Sequence, residues 1–267
     1  MPDLALQDVS LHYEVTGTGP PLLMIAGFMS DSASWAPLVP ELEPHFTLIR
    51  PDNRSTGRTM PWDAPCSLDL WAQDACALLN HLGYDRAYVL GHSLGGMIGW
   101  HMAQTTPNRV TALMTMGTAP RISSRNIALF ETLITIRNSD APNDTWLRAL
   151  FPWLFSNAVY QSAPDALEAA ITQSLAYPHA QCVQAMTHQL SALRAMNITS
   201  ARPPLTVPTQ ALLGRNDLLL PLTEAQTALE GIEIKIIEQA GHSLHWDAPT
   251  AVSREIRAFF KEASNDT

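Results

Sequence analysis

Cysteine is scarce: Cys66, Cys76 and Cys182 are the three in 267 residues, and they stand far apart. Three cannot pair completely and no Cys-x-x-Cys is present, so neither a disulfide framework nor a zinc site is expected. Basic residues are also few. Lys and Arg total 16 against 25 Asp and Glu, a formal charge of −9, with no basic run. A nucleic acid or an anionic membrane is therefore not the expected partner. No stretch approaches the roughly 20 consecutive apolar residues that span a bilayer. Met1 to Asp8 lacks the basic start and apolar core of a secretory signal. These absences lead to the expectation of a soluble protein in a reducing, cytoplasmic setting. No internal repeat or low-complexity tract interrupts the chain.

What is present is a globular composition, 46% apolar and 15% charged, in a chain long enough for a substantial core. Leu4 to Thr16 alternates apolar and polar residues and predicts one or two antiparallel strands with a solvated face. Leu22-Leu23-Met24-Ile25 is a continuous apolar run, as in a strand buried on both faces. A short helix is expected over Ser32–Leu42, and a strand over Phe46–Arg50. Asp52 and Arg54 follow in a polar turn that they can fix by hydrogen bonds. Ser67 is placed to cap a helix reaching Leu82, with Gly83 to end it. Val110–Met116 predicts a further buried strand.

Strands alternating with helices predict a mostly parallel sheet with helices on both faces. The rhythm breaks after Pro120. Helical pieces are expected at Ser124–Arg137, Asn143–Leu150, Pro164–Leu175 and His179–Met196, with no strand until about residue 200. The division expected is a core of residues 1–119 and 201–267, with a helical lid over 120–200. Large apolar groups crowd that segment. Most are expected to pack, and a few to line a pocket. The rhythm resumes with strands at Thr209–Leu213 and Ile232–Glu238. Asp247 is placed to cap a terminal helix with Pro249 in its first turn.

One stretch carries chemistry. Tyr88-Val89-Leu90-Gly91-His92-Ser93-Leu94-Gly95-Gly96 reads as strand, sharp turn and helix, with Ser93 at the apex. This is Gly-x-Ser-x-Gly in the setting that gives it meaning: the serine is held in a strained backbone, and bulky neighbours would collide with it. A serine hydroxyl needs a base, and the base needs a group that fixes its tautomer. Asp217 and His242 are candidates, each just past a predicted strand end, the edge where open α/β sheets build sites. His245 is a second candidate base and Asp247 a second candidate acid. His92 reads as structural.

Gly91-His92-Ser93-Leu94-Gly95-Gly96, Gly214-Arg215-Asn216-Asp217 and Gly241-His242-Ser243 resemble the α/β-hydrolase superfamily. The order serine, aspartate, histidine is the one this family uses. The resemblance covers nearly the whole chain and points to lidded bacterial esterases, enol-lactonases and aminoacrylate-hydrolase-like members. It implies a mostly parallel sheet of about eight strands flanked by helices, with an inserted helical lid. It implies Ser93, Asp217 and His242 as the catalytic triad, since His242 directly follows the glycine where the family places its histidine. Gly117-Thr118-Ala119-Pro120 leaves empty the other acid position that some members use. The backbone N–H groups of Phe28 and Leu94 are implied as the oxyanion donors, although Ala26 replaces the histidine of the common His-Gly pattern. Met29, Trp146, Trp153, Phe155, Met186 and His245 are the expected pocket residues.

The activity implied is hydrolysis of a small to medium, mostly apolar carboxylic ester, lactone or thioester through an acyl-enzyme. The serine excludes the aspartyl-nucleophile route of dehalogenases and epoxide hydrolases. A carbon–carbon hydrolase, a cofactor-free perhydrolase, a non-catalytic receptor and a lyase on the same fold stay open. No metal or organic cofactor is implied. The expected partner is a small-molecule acyl substrate, to a monomer or homodimer.

Overall fold

The apolar runs at Leu22–Ile25, Tyr88–Leu90 and Ala112–Met116 have no polar face, and in the computed structural model each lies in a strand covered on both sides. The structure describes residues 3–196 and 204–265. In chain order it begins with β1 (Asp3–Ala5), β2 (Ser10–Thr16) and β3 (Pro21–Ile25). A 3-10 turn at Ser32–Trp35, α1 (Val39–Leu42), β4 (Thr47–Pro51) and α2 (Leu68–His81) follow. Then come β5 (Ala87–His92), α3 (Leu94–Thr105) and β6 (Val110–Met116). Five helices without a strand come next: α4 (Ser124–Arg137), α5 (Thr145–Leu154), α6 (Asn157–Ser162), α7 (Pro164–Ala176) and α8 (Val183–Ala195). The chain closes with β7 (Thr209–Gly214), α9 (Leu222–Ala228), β8 (Glu233–Ile237), α10 (Leu244–Asp247) and α11 (Pro249–Asn265).

The eight strands form one sheet in the order β1-β2-β4-β3-β5-β6-β7-β8. β1 and β2 pair antiparallel, as does β2 with β4, and all other pairs are parallel. The alternation of strand and helix in the sequence predicts this layering. Successive strand residues point to opposite faces. Leu23, Ile25, Val89 and Leu113 join α2, α3 and α9 on one side. Leu22, Met24, Leu90 and Met114 join Trp35, Leu42 and α11 on the other. Phe28 and Phe130 carry the first layer into α4. Leu147, Phe151, Leu167 and Ile171 give α5 and α7 a small core of their own.

Local differences from the sequence reading have physical causes. Ser32–Leu42 divides into a 3-10 turn and α1. Asp31 caps the turn, its carboxylate accepting from Ala33 N at 2.9 Å. α5 runs on through Pro152 to Leu154. Burial of Leu147, Leu150 and Phe151 outweighs the one backbone bond that proline removes. α6 lies in what reads as a connection. α8 begins at Val183, where the Cys182 sulphur accepts from Ala185 N, and not at His179. Asp247 does not cap α11: its carboxylate accepts from Gly241 N at 2.6 Å and Ser156 N at 3.0 Å. The expected lid boundary at residue 200 lies outside the described residues.

Among the described residues, no helix is long and apolar enough to cross a membrane.

Candidate active site

Parallel strands bring their C-terminal ends to one edge, and β5, β7 and β8 deliver the serine, aspartate and histidine loops there. Ser93 has φ 52° and ψ −117°, a conformation a non-glycine residue holds only under constraint. The constraint is visible. Ser93 N donates to Met116 O at 2.9 Å, and the Thr118 hydroxyl lies 3.0 Å from Ser93 O. The flanking glycines have no alternative. A Cβ on Gly91 would sit 2.3 Å from Gly95 O, and one on Gly95 would sit 1.9 Å from Ile25 O.

Asp217 and His242 are buried and in contact, with Asp217 Oδ2 2.8 Å from His242 Nδ1. The second carboxylate oxygen, Oδ1, accepts from Leu219 N and Leu220 N, both at 2.8 Å. The acid is thus oriented before it meets the imidazole. Nδ1 of His242 is occupied, which leaves Nε2 as the nitrogen available for chemistry. Behind this pair stand two more histidines. His92 Nε2 donates to the His242 carbonyl at 3.0 Å and so holds the loop that carries His242. His245 packs against Trp35 and His92, with ring centroids 5.2 and 4.7 Å away. Burial drives His92 well below the usual histidine range, helped by His245 and His242, and takes His245 down to about 3. Both are neutral near pH 7. His245, the rival base in the sequence, is packed beside His92, while His242 holds the aspartate.

The loop after β3 faces the serine. Among the described residues, no acceptor takes the N–H of Phe28 or of Leu94. Met29 stands at φ 60°, and Ser30 N closes the turn on Gly27 O at 3.3 Å. Two outside groups hold this strained loop. Asn53 Nδ2 donates to Ala26 O at 2.9 Å, and Met29 N donates to Gln189 Oε1 at 3.2 Å. Gln189 is fully buried on α8, and sequence reading passed over it. A buried polar residue amid Met186, Leu190 and Leu193 was its only signal. Asp52 accepts from Ser32 N at 2.9 Å and Arg58 N at 2.8 Å, so the polar turn has a structural job. Arg54 spans Asp74 (2.6 and 2.9 Å) and Asp8 (2.7 and 2.9 Å) beneath it.

Two cavities meet at Ser93, of about 400 and 420 Å³. Phe28, Ser93, Phe130, Leu219 and His242 line both. The first chamber continues along Met97, Ile122, Leu193 and Asn126. The second runs under the inserted helices along Leu150, Phe151, Tyr177 and Arg137. Of the pocket residues expected from sequence, Met29, Trp146, Phe155 and His245 line the second chamber. Trp153 and Met186 line neither. Trp153 is half-buried against the main core, and Met186 is fully buried with its sulphur accepting from Arg137 Nη1. The inserted helices are also bonded to the histidine loop, since Ser243 N donates to Leu154 O at 2.9 Å and Asp247 reaches Ser156. Among the described residues, no three His, Cys, Asp or Glu side chains are grouped to hold a metal ion.

A protein of Azorhizobium caulinodans named "Putative carbamate hydrolase RutD" is 26% identical over 264 residues, covering 96% of each chain. The enol-lactonase of Burkholderia xenovorans LB400 superposes with a TM-score of 0.83 at 22% identity, over 97% of this chain and all of that one. A thermophilic esterase of Thermogutta terrifontis superposes at 0.78 and 24% identity, over 96% and 94%. These two superpositions speak to the fold. The sequence model of the alpha/beta hydrolase fold matches residues 20–249, most of the length, and the chain belongs to that family.

Proposed function

We propose that the protein is a serine hydrolase that cleaves a carboxylic ester, lactone or thioester through an acyl-enzyme. The observation that carries this reading is the buried His242–Asp217 pair at 2.8 Å, on the same chamber walls as a serine in strained conformation. Ser93 Oγ attacks the acyl carbon while His242 Nε2 takes its proton. The tetrahedral oxyanion lies against the N–H groups of Phe28 and Leu94, which have no other acceptor among the described residues. His242 returns the proton to the leaving oxygen or sulphur as the bond to the acyl carbon breaks. Water, deprotonated by His242, then attacks the acyl-enzyme and frees Ser93 and the acid. Asp217 holds the tautomer and stabilises the imidazolium. The inserted helices act as a lid, and their apolar side chains in the second chamber receive the acyl group. Relatives named for carbamate hydrolysis add a carbamate to the candidate bonds, since its carbonyl is open to the same attack.

The test is a fluorophosphonate probe together with p-nitrophenyl esters of graded acyl length, a lactone, a thioester and a carbamate. Ser93→Ala is expected to abolish labelling and to lower turnover by at least about 10⁴-fold. Labelling and turnover that persist in Ser93→Ala would remove the serine from the reaction. Labelling without turnover of any substrate would favour a receptor or a lyase.

A further inference from the structure

Arg137 ends α4 and lines the second chamber, whose other walls are largely apolar: Trp146, Leu150, Phe151 and Phe155 among them. Its guanidinium lies over the Trp146 ring, Cζ 4.4 Å from the centroid. One N–H donates to the Met186 sulphur. It forms no ion pair with any described residue. Burial lowers its pKa, yet an arginine stays charged in any protein interior. Arg137 is half-buried, and the contact with Trp146 returns about 0.5–2 kcal/mol against the partial loss of water from its guanidinium. The chamber's acid, Asp31, is engaged elsewhere: it accepts from the Tyr177 hydroxyl and from Ala33 N, both at 2.9 Å. An unpaired guanidinium on an apolar wall, with N–H groups still open, is a docking point for an anion. Its planar fork suits a carboxylate held by two bonds.

We propose that Arg137 binds a carboxylate at the far end of the substrate's acyl chain, so that the preferred substrate is a half-ester of a dicarboxylic acid. This rests on the ester-hydrolase reading. The apolar walls would hold the methylene stem between the reacting carbonyl at Ser93 and the anion at Arg137. A uniformly apolar acyl chain would cover more of the guanidinium and give it no anion in return. Asp31 sits in the same chamber with its carboxyl raised by burial first and by nearby Asp52 second. A carboxyl nearer neutrality repels an incoming anion less.

The test compares mono-p-nitrophenyl adipate with its neutral methyl ester. Wild-type enzyme is expected to favour the acid in kcat/KM by about 10- to 100-fold, the range of a hydrogen bond between charged groups. Arg137→Met should remove that preference, so that acid and neutral ester are used within about threefold of each other. Its chain still covers Trp146, so the fold is retained. Arg137→Lys, with one ammonium in place of the fork, should keep only part of it. Free adipate should inhibit the wild type competitively and lose its effect on Arg137→Met. Equal use of acid and neutral ester by wild-type enzyme, with no Arg137-dependent inhibition, overturns the proposal and leaves the hydrolase reading standing. If neither ester nor any other substrate of the panel above is turned over, the hydrolase reading has failed. Calorimetric titration with adipate then decides alone: binding lost in Arg137→Met supports the anion site, and no binding to wild type overturns it.

Discussion

At the scale of the residue, Gly95 carries two duties. It flanks the serine, and it lets α3 meet β3 with no side chain between. Because an added Cβ would sit 1.9 Å from Ile25 O, Gly95→Ala must push the helix off the sheet. A loss of about 3 kcal/mol or more in urea unfolding is expected. Positions such as this are legible in sequence, since the residue type answers to local backbone geometry. Ser93, Asp217 and His242 are legible for a related reason: each follows a strand, and a strand's end fixes which edge its loop occupies. Trp153 and Met186 were not. Both are large and apolar within the inserted helices, but the rotation of α5 and α8 turns them away from the chambers. Arg137, which does line a chamber, reads in sequence as an ordinary basic residue at a helix end.

At the scale of the element, α8 does more than cover the site. Gln189 takes the Met29 N–H at 3.2 Å and Gln181 Nε2 at 3.2 Å, and Gln181 also donates to Ser55 O at 2.6 Å. The helix therefore clamps the strained turn that presents Phe28 N–H. Gln189→Leu keeps the volume and removes the acceptor. It is expected to lower kcat by about 10- to 100-fold with KM changed less than threefold, the signature of misplaced transition-state donors. Steady-state kinetics on one ester decide it, and an effect confined to KM would assign Gln189 to substrate binding. The inserted helices were also the least legible elements. α6 is six residues long with no side-chain cap, and α5 crosses a proline because tertiary packing overrides propensity.

At the scale of the whole molecule, acid is expected to undo the fold from behind the site. Unfolded His92 and His245 would take up protons near pH 6.5, whereas folded they are held neutral to far lower pH, about 3 for His245. The unfolded chain then binds more protons below that point, so these two groups stabilise the fold fully above about pH 6.5 and less as pH falls toward 3. Asp31, Asp74 and Asp247 act in the opposite sense. Burial is the leading cause that raises each, so the folded form protonates first and their contribution grows on acidification. His245→Phe isolates one share. Its urea midpoint should fall less steeply than that of the wild type between pH 7 and pH 5, and parallel slopes would exclude His245 as a source of acid sensitivity.

The sequence by itself determined the layered sheet, the strand ends that carry Ser93, Asp217 and His242, and the glycines that admit the serine's backbone. These follow from short-range rules: the period of two in strands, the demands of a sharp turn, and the order of elements along the chain. Only the tertiary structure decided which side chains of the inserted helices enter the chambers, that Gln189 bonds the loop after β3, that Asp247 ties Gly241 to Ser156, and that Arg137 forms no ion pair among the described residues. Each of those depends on how one helix is turned against a distant segment. That angle is settled by packing among residues 49 to 160 positions apart, where no local pattern in the chain records it.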